Sequence, residues 1–269
     1  MNLEMFKEIK TRKLFVQILA ALVLGLLVLA ALSKLCKVAI TDDYATIFSI
    51  SITAIWFILA AKFVRKNNIS LKYFLDKPSP KFILEVPVTL IVTYVGSIGL
   101  ILLMLFLAYC INPNVLHSLQ SGISAEPPKV TNSFFIVLGF IGAVFVAPIT
   151  EEFIFRGILM NRLYNKYGVI RSIIFSSLAF FIMHLNPNPM ILFLGISCAI
   201  LTYKYKSLIP SILLHCFNNL IVSLRDLGSK GTQTAFNDFT INSSLLIFGV
   251  ILLILYVIYS FLKLRKISG

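Results

Sequence analysis

The stretch Phe134-Phe135-Ile136-Val137-Leu138-Gly139-Phe140-Ile141-Gly142-Ala143-Val144-Phe145-Val146-Ala147-Pro148-Ile149 carries no charge, and it runs directly into Thr150-Glu151-Glu152 with Arg156 four residues further on. An apolar run approaching 20 residues has the length of a membrane span. Ionisable side chains inside such a run are costly and mark a functional site by default. Similar runs recur, giving candidate spans at 14–33, 45–63, 82–110, 133–155, 170–185, 189–203, 207–224 and 244–262. The chain is 58% hydrophobic and 13% charged, with a mean hydropathy of +0.93. A core of 269 residues has no room for that much apolar surface, so the sequence predicts an all-α, polytopic membrane protein, with residues 1–269 forming one integral membrane domain.

The net charge of +13 does not point to nucleic acid. Lys and Arg are scattered over loops and helix ends, with no aromatic-basic module among them, and their placement reports topology instead. The connection holding Lys62, Arg65, Lys66, Lys72, Lys77 and Lys81, the one holding Arg162, Lys166 and Arg171, the one holding Lys204 and Lys206, and the tail with Lys263, Arg265 and Lys266 all fall on one side of an eight-span count. By the positive-inside rule both termini are expected in the cytoplasm of a cell membrane, with residues 111–132, 186–188 and 225–243 outside. The basic N-terminus resembles a signal peptide, but the run from Leu14 is long and lacks a clear cleavage site, so a retained first span is expected. Cys36, Cys110, Cys198 and Cys216 show no CxxC spacing and are expected to pack as apolar residues. Pro148, three residues before Glu151, predicts a kinked or broken helix, with a re-entrant segment as the alternative.

Two further spans each carry a histidine, His184 and His215. Adjacent helical residues point about 100° apart, so Glu151 and Glu152 should have different partners. Arg156 stands four residues after Glu152, the spacing that pairs a carboxylate with a guanidinium on one helix face. That leaves Glu151 for chemistry. Phe180 and His184 share a face at the same spacing, as do His215 and Asn219. Measured from the nearest basic residue, Glu151 lies about 16 Å deep, His184 about 20 Å and His215 about 13 Å, so the three could meet in one layer. Taken singly, each has a structural reading: the Glu-Arg pair as a helix clasp, the histidines and Asn219 as interhelical hydrogen-bonding groups, and Phe180 as packing that holds His184. Their joint occurrence at compatible depths favours a site.

Glu151-Glu152-Phe-Ile-Phe-Arg156, Phe180-Phe-Ile-Met-His184 and His215-Cys-Phe-Asn-Asn219 resemble the EExxxR, FxxxH and HxxxN motifs of the CPBP family, the CAAX-processing and bacteriocin-processing (Abi) intramembrane endopeptidases. The likeness spans residues 148–220, with the motif order and spacing intact. It implies about eight membrane helices around a catalytic cavity open to the cytosol, and hydrolysis of a peptide bond in a membrane-associated peptide or protein. It implies Glu151 as the group that activates water, His184 as its assistant, His215 and Asn219 as stabilisers of the oxyanion, and Glu152 with Arg156 as the supporting pair. A Glu and two His side chains could also hold a catalytic zinc; the chain lacks H-E-x-x-H, and a metal-free glutamate mechanism is the preferred expectation. The competing readings are a proton-coupled transporter, for which no internal repeat is found, and a non-catalytic scaffold or immunity protein. The Lys-, Ile-, Asn- and Phe-rich composition suggests a bacterial source, making a prenylated substrate the less favoured one.

Overall fold

The computed structural model describes residues 3–36, 42–112, 132–228 and 242–268, and their regular secondary structure is entirely helical. Eight helical segments follow in order: α1 (Thr11–Cys36), α2 (Asp42–Lys66), α3 (Phe82–Ile111), α4 (Ser133–Tyr167), α5 (Val169–Met183), α6 (Pro189–Tyr205), α7 (Ile209–Gly228) and α8 (Ser243–Ser268). Short 3₁₀ turns stand at Leu3–Phe6 and Leu71–Phe74. Among the described residues, α1, α2, α3, α4 and α8 are long and apolar enough to cross a membrane, whereas α5 and α6 are apolar but shorter. α7 has the length, but His215, Asn218, Asn219, Arg225 and Asp226 make it more polar. The outer connections expected at 111–132 and 225–243 lie largely outside the described residues, and so does the short loop between α1 and α2.

The sequence accounts for the element boundaries. Asn132 caps α4 by accepting from the backbone N–H of Phe134, and Asn188 caps α6 by accepting from that of Met190, with Pro189 at the first helical position. Gly168, at φ 78°, supplies the turn between α4 and α5. α5 has 15 residues and α6 has 17, so they rise about 22 and 26 Å against a hydrocarbon core of about 30 Å. The turn joining them therefore falls short of a full crossing, where irregular backbone is tolerated against protein or a wet cavity.

α6 is the innermost helix and packs against α3, α5, α7, α8 and the C-terminal half of α4. α3 and α8 pair closely because Gly99 and Gly249 bring their backbones together: a methyl on Gly99 would sit 2.8 Å from the Gly249 carbonyl oxygen. At the basic end, Glu85 of α3 binds Lys204 of α6, Lys263 of α8 at 2.8 Å and the Tyr205 hydroxyl at 2.5 Å, which ties three helices together. α1 and α2 pair on the opposite side, and α2 runs along α4. Beneath them Phe6, Ile9, Leu14, Val64, Phe74, Phe153 and Phe155 form the largest buried apolar cluster. α1 turns Val16, Leu19, Val23, Leu24 and Leu27 outward, as expected of a helix facing lipid. Cys198 is buried, and Cys110, Cys198 and Cys216 are free thiols.

Of the kinked or broken helix expected at Pro148, the break is not seen. α4 runs on without interruption, but it contains two π-helical stretches, Gly142–Val146 and Phe153–Met160. The first absorbs the proline: in its register the backbone N–H of Ala147 reaches the carbonyl of Gly142, five residues back. The next bond, from residue 148 to Ala143, cannot form because proline has no N–H.

Candidate active site

Glu151 and Glu152 occupy the short α-helical piece Ala147–Glu152 between the two π stretches. Such wide turns inside α-helices are frequent at functional sites. Glu152 points inward and has no exposed surface. Its Oε1 is 3.1 Å from Nη1 of Arg156 and 3.0 Å from Nδ1 of His215. Arg156 is equally buried. Its Nη2 donates to the Gly195 carbonyl of α6 at 2.9 Å, and its guanidinium lies 4.3 Å from the centre of the Phe180 ring, within range of a cation–π attraction. This approach needs a glycine on α6, since a methyl at position 195 would meet Nη2 of Arg156 and Cβ of Ser177 at 3.2 Å.

Glu151 points elsewhere. It is 17% exposed, and its Oε2 stands 3.7 Å from Nε2 of His184 and 3.8 Å from Nε2 of His215. These separations exceed a direct hydrogen bond and suit groups bridged by one small polar molecule. Both rings are oriented from behind. Nδ1 of His184 is 2.8 Å from the Phe180 carbonyl, which only accepts, so Nδ1–H donates and Nε2 carries the lone pair. Nδ1 of His215 meets Glu152 in the same manner. Phe180 is fully buried and packs its ring against both imidazoles, with centroids 4.4 Å from His184 and 5.6 Å from His215. The two carboxylates thus bracket one imidazole, with Glu152 at Nδ1 of His215 and Glu151 near its Nε2.

Asn219 lies one turn beyond His215 on α7, and its Nδ2 donates to the Ala143 carbonyl at 2.8 Å. That carbonyl is the one orphaned by Pro148, so the asparagine supplies the donor the proline lacks. Its amide orientation is set by a relay: Tyr94 donates to Oδ1 of Asn218 at 3.2 Å, and Nδ2 of Asn218 donates to Oδ1 of Asn219 at 3.1 Å. One hydrogen of the Asn219 amide is used on Ala143, leaving the second for another acceptor.

Five of the six residues singled out from the sequence, Glu151, Glu152, Arg156, His184 and His215, are therefore linked in one assembly contributed by α4, α5 and α7, while Asn219 docks on the Ala143 carbonyl of α4. Glu151, His184 and His215 face a common point, Glu152 and Arg156 stand behind it, and Asn219 lies alongside. Sequence reasoning missed Gly195, the Ala143 carbonyl, Asn218 and Tyr94. Only Asn218 had a visible signal, as the neighbour of Asn219 in a span where amides are scarce. Among the described residues no group of three His, Cys, Asp or Glu side chains is arranged to hold a metal ion.

Residues 133–221 match the family model described as type II CAAX prenyl endopeptidase Rce1-like. No similar curated protein and no similar solved structure was found.

Proposed function

We propose that this chain, whose residues 133–221 match the Rce1-like family model, is a CAAX-type membrane endopeptidase of the CPBP family that hydrolyses a peptide bond in a membrane-associated peptide or protein, with Glu151 as the base that activates water. The observation that carries this reading is the convergence of two imidazole Nε2 atoms, each anchored through its Nδ1, on one oxygen of the partly exposed Glu151 at 3.7 and 3.8 Å. A water between these atoms gives one proton to Glu151 and directs its second hydrogen at the lone pair on Nε2 of His184. Its oxygen is then aimed at a substrate carbonyl carbon. Glu151 returns that proton to the departing amine, the second water proton passes through Nε2 of His184 to the same amine, and the products leave as an ammonium and a carboxylate.

The developing oxyanion needs donors. With both glutamates ionised, Arg156 balances one negative charge; a proton on Nε2 of His215 balances the other and turns that atom into a donor. The free N–H of Asn219 is the second donor, held by Ala143 and the Asn218–Tyr94 relay. Donors fixed before the reaction are worth most in a site with little water. The buried Glu152–Arg156 pair keeps His215 in place and does not touch the reacting atoms.

Every step above is assigned to a side chain of this chain, so the proposal is a metal-free glutamate mechanism, and chelation tests it. The substrate is taken to be a peptide segment at the bilayer; the composition makes a non-prenylated bacterial substrate the preferred choice. The experiment is cleavage of a panel of membrane-anchored peptides by the reconstituted protein in ¹⁸O-labelled water, read by mass spectrometry. One ¹⁸O atom in each new carboxyl terminus is expected. Binding of peptides without any cut product would overturn the hydrolase reading in favour of a scaffold.

A further inference from the structure

A second polar feature lies away from the catalytic groups, where α1 begins and α4 ends. There Lys10, Arg12 and Lys13 from the N-terminal side meet Arg162 and Lys166 of α4 around an open cleft of about 310 Å³, floored by Ile9, Leu163 and Tyr167. Among the described residues none of these five cations forms an ion pair with a carboxylate. The cleft is built and not a loose surface cluster. Phe6, Ile9 and Leu14 are buried, and the Phe6 ring sits 6.1 Å from that of Phe74, so the approach to α1 is pinned against the 3₁₀ turn at Leu71–Phe74. Arg162 is itself half-buried.

A second cavity of about 380 Å³ shares Arg12 and Lys13 with the first and runs on along α1 over Val16 and Gln17. Val16 is 60% exposed on a face whose next outward residues are Leu19 and Val23, the surface α1 turns towards hydrocarbon. A cationic cup at the end of two apolar spans, continuous with a shallow groove along α1 that reaches Val16 and the outward-facing apolar residues beyond it, has the two-part chemistry of a phospholipid. Basic pockets between membrane helices are suited to phosphate-bearing head groups.

We propose that this cleft is a binding site for an anionic phospholipid, the phosphate seated among Arg12, Lys13, Arg162 and Lys166 and an acyl chain lying in the groove beside Val16. A free phosphate would leave the groove empty, and a zwitterionic lipid would gain little from five uncompensated cations. The occupant also bridges α1 to the helix that carries Glu151.

The test uses the full chain in detergent with added long-chain phosphatidylglycerol, long-chain phosphatidylcholine or inorganic phosphate, and reads bound ligand by native mass spectrometry. Two variants remove cations from opposite walls, Arg12→Gln/Lys13→Gln and Arg162→Gln/Lys166→Gln. A third, Lys62→Gln/Lys66→Gln at the exposed end of α2, removes equal charge elsewhere. Each cation near an anionic lipid is worth about fivefold in affinity, so each cleft variant should weaken phosphatidylglycerol binding about 25-fold. The α2 variant and phosphatidylcholine binding should change little. Equal loss in the α2 variant, undiminished phosphatidylglycerol binding in both cleft variants, or phosphate binding as tight as the lipid would each overturn the proposal.

Discussion

Replacing Arg156 with methionine probes whether the buried charges act as one unit. The substitution keeps a slim, flexible side chain but removes the ion pair to Glu152 at 3.1 Å, the hydrogen bond to Gly195 at 2.9 Å and the contact with the Phe180 ring at 4.3 Å. Both charged partners are fully buried, so Glu152 loses its guanidinium and keeps His215, Ser211 and Cys198 beside it. Breaking a buried pair from one side costs about 3–5 kcal/mol. In a chain of this size each kcal/mol moves Tm by about 2–4 °C, which predicts a loss of about 6–20 °C for Arg156→Met. Glu152→Gln strands the guanidinium and should cost a similar amount. The double variant Glu152→Gln/Arg156→Met leaves no stranded charge, and its new amide oxygen still accepts from Nδ1 of His215. Most of the loss should therefore be recovered, with a coupling of up to about 3 kcal/mol in the cycle. Thermal unfolding of all four proteins in one detergent, followed by far-UV circular dichroism, gives the cycle. A double variant that falls by the sum of the two single losses would refute the reasoning.

Asn219→Ala is expected to lower kcat by about 10²–10³, the typical loss for one well-aimed oxyanion donor. Adding Pro148→Ala to that variant gives Ala143 a backbone partner, and should restore Tm but not kcat; recovery of kcat as well would reduce Asn219 to a clamp on the backbone. Gly195→Ala places a methyl 3.2 Å from Nη2 of Arg156, and this overpacking should cost about 1–3 kcal/mol, visible as a lower Tm together with a lower kcat as His215 loses its support. Gly99→Ala presses on the Gly249 carbonyl at 2.8 Å and should cost a comparable 1–3 kcal/mol, roughly. Since α3 and α8 pair away from Glu151, the activity per folded molecule should hold, and a fall in kcat without a fall in Tm would contradict that separation.

Much of the site could be read from helix geometry alone. The four-residue spacings Glu152–Arg156 and Phe180–His184 are seen as a direct ion pair and as a side chain bonded to its own helix backbone. The 100° step between Glu151 and Glu152 sends them to different atoms, yet both reach His215, because an imidazole presents two nitrogens on opposite edges. Pro148 predicts a kinked or broken helix, and the helix does not break. Here a π turn shifts the hydrogen-bond register and a side chain from α7 takes over the orphaned carbonyl, a compensation encoded 71 positions away, between Pro148 and Asn219. Gly195 and Tyr94 were not legible, since a glycine or tyrosine in a span looks the same whether it meets lipid or a buried guanidinium. α7 shows the limit of hydropathy: the polar residues that make it part of the site also lower its resemblance to a span.

The central claim is that Glu151 is the base. Its most direct test is the rate of cleavage of one membrane-anchored peptide by wild type and Glu151→Gln, each with and without a chelator, alongside Tm for both. The account predicts wild-type cleavage unaffected by the chelator, and a Glu151→Gln protein with unchanged Tm whose rate is at least about 10²–10⁴ lower, the usual contribution of a positioned general base. A Glu151→Gln protein that cleaves at the wild-type rate, or a wild-type activity abolished by the chelator and restored by zinc, would contradict it.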